Sequence, residues 1–92
     1  MIIALDYDGT YTLAPAFWDQ FVKMASIAGH TVVIATARHR YPPHIINGLS
    51  IPIYYCGNEL KEKYMLRQGI KIDIWIDDMP GMIQECKILN FD

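Results

Sequence analysis

Four short apolar runs punctuate this chain, and they constrain its fold more than any other feature. Ile2 to Leu5, Thr31 to Ala35, Ile51 to Tyr55 and Ile72 to Ile76 are rich in β-branched and aromatic residues, the pattern of strands buried on both faces. The segments between them read as helices. Pro15 opens the first, apolar Phe17, Phe21, Ala25 and Ala28 recur at helical spacing, and Gly29 supplies the stop. Pro42 and Pro43 suit the first turn of a helix, so a short one is expected over His44 to Asn47, closed by Gly48. Asn58 is the expected cap of a helix from Glu59 to Gln68, followed by Gly69. Pro80 to Glu85 reads as a further short helix and Lys87 to Phe91 as a fifth strand.

Strands alternating with helices imply βαβ units and right-handed crossovers. The expected class is α/β, a three-layer Rossmann-like open parallel sheet of about five strands with helices on both faces. Ninety-two residues, 52% of them hydrophobic, leave room for one core, so residues 1–92 are read as a single domain without a cap domain. In such sheets ligands bind beyond the carboxyl ends of the strands, where strand order reverses. Asp6, Thr36, Cys56 and Asp77 fall at those ends.

A formal charge of −2 gives no basic excess for non-specific nucleic-acid binding. Cys56 and Cys86 follow no metal or redox spacing and read as reduced thiols. The apolar opening meets Asp6 too early for a signal peptide, and no apolar stretch approaches the ~20 residues of a membrane span. A cytoplasmic protein without membrane contact is the expectation.

The chemistry-bearing residues cluster by position. Asp6 and Asp8 flank Tyr7 at the end of a buried strand, and Gly9 allows the chain to turn so that both carboxylates reach one cavity, although Asp-Gly is also a common turn dipeptide. Asp77 and Asp78 repeat the arrangement after another strand. Four carboxylates at one sheet edge repel each other unless a cation is present, and Mg2+, which takes oxygen ligands and substrate phosphate, fits better than zinc. Thr36 and nearby amides, with Arg38, are placed to donate to phosphate oxygens; a helix N-cap is the commoner role for such a threonine. Lys61 and Lys63 lie near the start of the third helix, where lysines usually face solvent.

Taken in order, these signals resemble the haloacid dehalogenase-like superfamily, in its phosphatase branch with little or no cap domain. Leu5-Asp6-Tyr7-Asp8-Gly9-Thr10 is similar to the first motif, Val33-Ile34-Ala35-Thr36 to the second, a lysine of the third helix to the third, and Trp75-Ile76-Asp77-Asp78 to the fourth. The resemblance implies a magnesium-dependent phosphohydrolase with Asp6 as nucleophile, forming an aspartyl-phosphate, and Asp8 as general acid and base. It implies Mg2+ held by Asp6, the backbone carbonyl of Asp8, and Asp77, with Asp78 assisting the metal or positioning the lysine. Thr36 and the lysine would hold phosphate oxygens. Helix register favours Lys61: it falls in the first turn, and Lys63 lies about 200° further around.

The implied substrate is a phosphomonoester: a nucleotide, a sugar phosphate or a nucleic-acid end. Arg38, His39 and Arg40 read either as an anchor for a second phosphate or as a solvated charge run. The segment from Tyr11 to Pro15 is short for a closing hairpin, so a second copy of the chain or a large substrate is the expected lid. Two other classes compete. A phospho-receiver signalling module carries similar residues in a different order, and a non-catalytic phosphate-binding module would keep the same pocket.

Overall fold

The computed structural model describes residues 1–85. Four strands, β1 (Ile2–Leu5), β2 (Thr31–Thr36), β3 (Ile53–Tyr55) and β4 (Ile74–Ile76), form one sheet in the order β3-β2-β1-β4. Every pairing is parallel, with Leu5 opposite Ile34 on one side and Ile76 on the other. Helix α1 (Pro15–Ile27) connects β1 to β2 and helix α2 (Lys61–Arg67) connects β3 to β4. Two 3-10 turns lie at Tyr11–Leu13 and Pro80–Met82. The architecture is therefore α/β with an open parallel sheet. Lys87 to Phe91, expected as a fifth strand, and Cys86 lie outside the described residues.

Side-chain alternation along the strands sorts the core into two clusters. Ile3, Leu5, Val32 and Ile34 join Ala25 of α1, with Trp18, Phe21 and Val22 packed against them. Ala4, Val33 and Ala35 join Met65 of α2 and Cys56. Leu5, Ile34 and Met65 are fully buried. This two-sided burial explains why β1 and β2 read as continuous apolar runs rather than alternating ones.

Several expected elements differ. No helix forms over His44 to Asn47; the segment is irregular, with the His44 amide donating to the Tyr41 carbonyl and the Ile46 amide to the Tyr55 hydroxyl. Two prolines and four residues are too few to offset the cost of helix nucleation once a side chain competes for the amide. Asn58 does not cap α2, which starts at Lys61 with Leu60 at its N-cap. Residues 57–59 are instead held in a turn by the Glu59 amide and the Cys56 carbonyl, and a free amide of the helix start, Glu62, donates to the Ile83 carbonyl. Along α1 the inward stripe is Trp18, Phe21, Val22 and Ala25, whereas Phe17 and Ala28 are exposed. β3 and β4 are each two residues shorter at their starts than the apolar runs that contain them, and Pro80 to Glu85 forms only the 3-10 turn.

The strand order marks one edge as the candidate site. From β1 the chain steps through β2 to β3, then returns to the far side of β1 as β4. The order reverses between β1 and β4, and the gap beyond their carboxyl ends is where such sheets bind ligands.

Candidate functional site

Asp6 and Asp77 both emerge into that gap. The Asp6 amide donates to the Ile76 carbonyl at 2.9 Å, which carries the β1–β4 pairing one residue beyond the strands. Leu5 and Ile76 face the α1 side of the sheet, so the residues that follow each point toward α2. Lys61 is one turn before Met65, the buried anchor of α2, and shares its inward face. Three separate periodicities thus converge on one point.

At that point Lys61 Nζ donates to Asp6 Oδ1 at 2.7 Å and to Asp77 Oδ2 at 2.6 Å, with the lysine side chain only 2% exposed. Asp77 also accepts from the Met79 amide at 2.8 Å, which fixes its second oxygen. Asp78 is exposed, yet Thr10 Oγ1 lies 3.3 Å from Asp6 Oδ2 and 3.5 Å from Asp78 Oδ1, tying the two acidic pairs together. Gly9 permits this approach. Its φ is +79°, and a Cβ there would collide with Asp78 Oδ2.

Carboxylate oxygens of Asp6, Asp77 and Asp78 lie within 4.8 Å of one another, close enough to share a cation. Burial pushes the Asp6 carboxyl up to about 6, and the nearby carboxylates act in the same direction against the pull of Lys61. Burial works against the charge on Lys61, but its bonds to Asp6 and Asp77 outweigh that and hold its ammonium above the usual lysine range. The donor set is all oxygen, which suits a hard cation such as Mg2+ better than zinc. A cavity of about 100 Å³ opens among Asp6, Asp8, Thr36, Lys61, Asp77 and Asp78. It is well below the ~300–1,000 Å³ of sites that enclose whole small molecules.

Asp8 is placed differently. It lines the same cavity but is not among the three carboxylates close enough to share a cation, and it forms a two-pronged ion pair with Arg38, Nε to Oδ2 and Nη2 to Oδ1, both at 2.8 Å. The Arg38 bonds hold the Asp8 carboxyl below the usual carboxylate range. Arg38 also donates to the His44 carbonyl and covers the Tyr7 ring at 4.9 Å. Thr36, 1% exposed, accepts from the Arg38 amide at 3.1 Å, so it shapes the turn after β2 as well as lining the cavity.

Six of the seven residues that the sequence singles out therefore line one cavity: Asp6, Asp8, Thr36, Lys61, Asp77 and Asp78. The seventh, Arg38, borders it through Asp8. Lys63 is exposed and makes no ion pair among the described residues. Thr10 joins the site without being a sequence candidate for it, although it closes the Leu5-to-Thr10 run that resembles the first motif. The loop carrying it is braced from α1: Trp18 Nε1 donates to the Thr10 carbonyl at 3.0 Å, and Tyr11 Oη to Asp19 at 2.7 Å.

No family model matches the chain, and no curated protein or solved structure matches it. Among the described residues, no helix is long and apolar enough to cross a membrane.

Proposed function

We propose that the chain is a magnesium-dependent phosphomonoester hydrolase that works through an aspartyl-phosphate, as its resemblance to the haloacid dehalogenase-like superfamily implies. The observation that carries this reading is the buried constellation of Asp6, Asp77 and Lys61, with Asp78 alongside, at the point where strand order reverses. A three-layer fold closed by a fifth strand belongs to the same proposal.

Asp6 is the nucleophile: one oxygen attacks phosphorus in line with the departing ester oxygen. Asp6, Asp77 and Asp78 would hold Mg2+, which supplies charge neutralisation for the transferred phosphoryl group. Lys61 remains cationic beside Asp6 and donates to a phosphoryl oxygen, while Thr36 and the turn amides after β2 orient the others. Asp8 protonates the leaving oxygen and then takes a proton from the water that opens the acyl-phosphate. Its pairing with Arg38 keeps it ionised, so the first of these roles requires that pair to open and Asp8 to take up a proton from solvent when substrate enters.

The direct test is release of phosphate from a generic aryl phosphate with magnesium. Asp6→Asn keeps the shape of the side chain but cannot attack, so turnover disappears while the protein stays folded. Full activity in that variant removes the mechanism. Phosphate binding without release by the wild-type chain would favour a non-catalytic module with the same pocket.

A further inference from the structure

A second and larger cavity, about 470 Å³, adjoins the carboxylate cavity and is lined by Asp8, Ala37, Arg38, Pro43 and His44. The two share Asp8 and Ala37, so a ligand can pass from one to the other alongside Asp8. Its volume falls within the range that encloses small organic ligands. A phosphoryl group beside Asp6 would direct the rest of its molecule into this space, because the proton-donating Asp8 stands at the junction.

The walls indicate what that molecule is. Asp8, Arg38 and His44 are the only polar side chains among the described residues of this lining, and Asp8 is committed to the leaving oxygen, which leaves few groups to replace the water around a hydroxyl-rich sugar. What remains is flat: the Pro43 ring, the His44 imidazole and the guanidinium plane of Arg38. His44 does not stand alone. Its ring meets His39 at 5.9 Å and Tyr41 at 5.5 Å, and His39 stacks on Tyr41 at 5.3 Å. His39 is in turn seated on Gly57, where a Cβ would stand 3.0 Å from its ring. A group of three mutually packed rings backed by the main chain is a stacking platform, and two arginines, Arg38 and Arg40, flank His39 in sequence. Aromatic faces beside guanidinium groups are how proteins hold nucleobases without reading their sequence.

We infer that the β2–β3 connection is a leaving-group subsite for a nucleoside, whose base stacks on His44 while its phosphate occupies the carboxylate cavity. The inference rests on the phosphate-site reading proposed above. Arg38 has five N–H donors, and its bonds to Asp8 and the His44 carbonyl use three of them. The remaining two are free for the ribose.

The experiment uses the wild-type protein in magnesium and measures affinity calorimetrically for inorganic phosphate and for the non-hydrolysable methylenephosphonate analogues of ribose phosphate and adenosine monophosphate. Stacking makes the nucleotide bind about tenfold or more tighter than ribose phosphate. Adding His44→Ala brings the two affinities together, because the His44 carbonyl that holds Arg38 is kept and only the ring is lost. His44→Phe restores the difference and shows that the loop still folds. Equal affinities in the parent protein, or a nucleotide preference that survives His44→Ala, overturn the subsite. If inorganic phosphate itself does not bind, the phosphate-site reading fails and the subsite falls with it, whereas phosphate binding without nucleotide preference sinks the subsite alone.

Discussion

The Lys61 ammonium lies 2.6 Å from Asp77 Oδ2, and both side chains are 2% exposed. Two buried carboxylates, Asp6 and Asp77, thus share one buried cation. Removing one partner of such a group leaves uncompensated charge in a poorly solvated place, which costs about 3–5 kcal/mol. Lys61→Met is therefore expected to lower stability by that order in chelator, measured by urea unfolding, and millimolar magnesium should recover part of the loss. Lys63→Met, at an exposed position, should stay within about 0.5 kcal/mol of wild type. A Lys61→Met protein as stable as wild type without metal would mean that the lysine does not neutralise the pair.

Much of this geometry is legible in the order of residues alone, and the parts that are not have identifiable causes. β1 and β2 stand out because Ile, Val and Thr fill them and both of their faces are covered. Asp6 and Asp77 follow such strands directly, so their convergence needs only the strand order. Helical register distinguishes Lys61 from Lys63 even though Asn58 is not the cap: moving the helix start from Glu59 to Lys61 leaves Lys61 in the first turn. Side-chain competition for backbone groups is not legible. The Tyr55 hydroxyl taking the Ile46 amide, and Arg38 pairing with Asp8, join residues that local pattern does not connect. Phe17 faces outward, against its spacing, for a related reason. Spacing defines a helical stripe, but whether Phe17 or Trp18 leads it depends on where the sheet lies.

Asp6 gives the site a pH dependence whose sign can be worked out. Its carboxyl is raised to about 6 in the folded chain, above its ordinary value of 3.8, so the folded state binds more protons between those values. Stability in chelator should then fall as pH rises from about 4 to about 6, through this group, and level off above. Mg2+ bound there would favour the ionised form and release the proton. Magnesium affinity is expected to climb through the same window, and calorimetry in buffers of different ionisation enthalpy should register proton release near pH 6 and little at higher pH. Asp77→Asn should weaken the magnesium-induced rise in melting temperature. Equal melting temperatures in chelator and in excess magnesium at neutral pH would count against a cation site.

Arg38→Met should free Asp8. The Asp8 carboxyl is held down first by its hydrogen bonds to Arg38, so the substitution returns it toward the ordinary carboxylate range, as carboxyl NMR titration would show. A depressed carboxylate contributes stability that is present above its unfolded value and lost as pH falls through the folded one. That contribution disappears in the variant, but Asp8 is 56% exposed, so solvent screening limits the loss to about 1 kcal/mol or less. On the proposed mechanism the alkaline limb of the activity profile, where activity falls as Asp8 loses the proton it must donate, moves to higher pH. An unmoved Asp8 titration would show that the ion pair does not persist in solution.

Gly9→Ala probes how the two acidic pairs are brought together. At φ +79° any side chain is strained, with a cost of roughly 1–2 kcal/mol for an L-residue in the left-handed region. The added methyl also collides with Asp78 Oδ2 and stands 3.0 Å from Cγ, so the Asp78 carboxylate must swing away. Because Asp78 is exposed, that movement is cheap in the metal-free protein, and urea unfolding in chelator should report mainly the backbone strain. The cation response should suffer more, since Asp78 is one of three carboxylates whose oxygens lie within 4.8 Å. Combining Gly9→Ala with Asp78→Ala separates the causes. If the methyl acts by displacing Asp78, the two substitutions are non-additive in the magnesium-dependent shift and additive in the metal-free stability. Additive losses in both would mean that Gly9 serves the turn alone and that Asp78 contributes to the cation site independently of it.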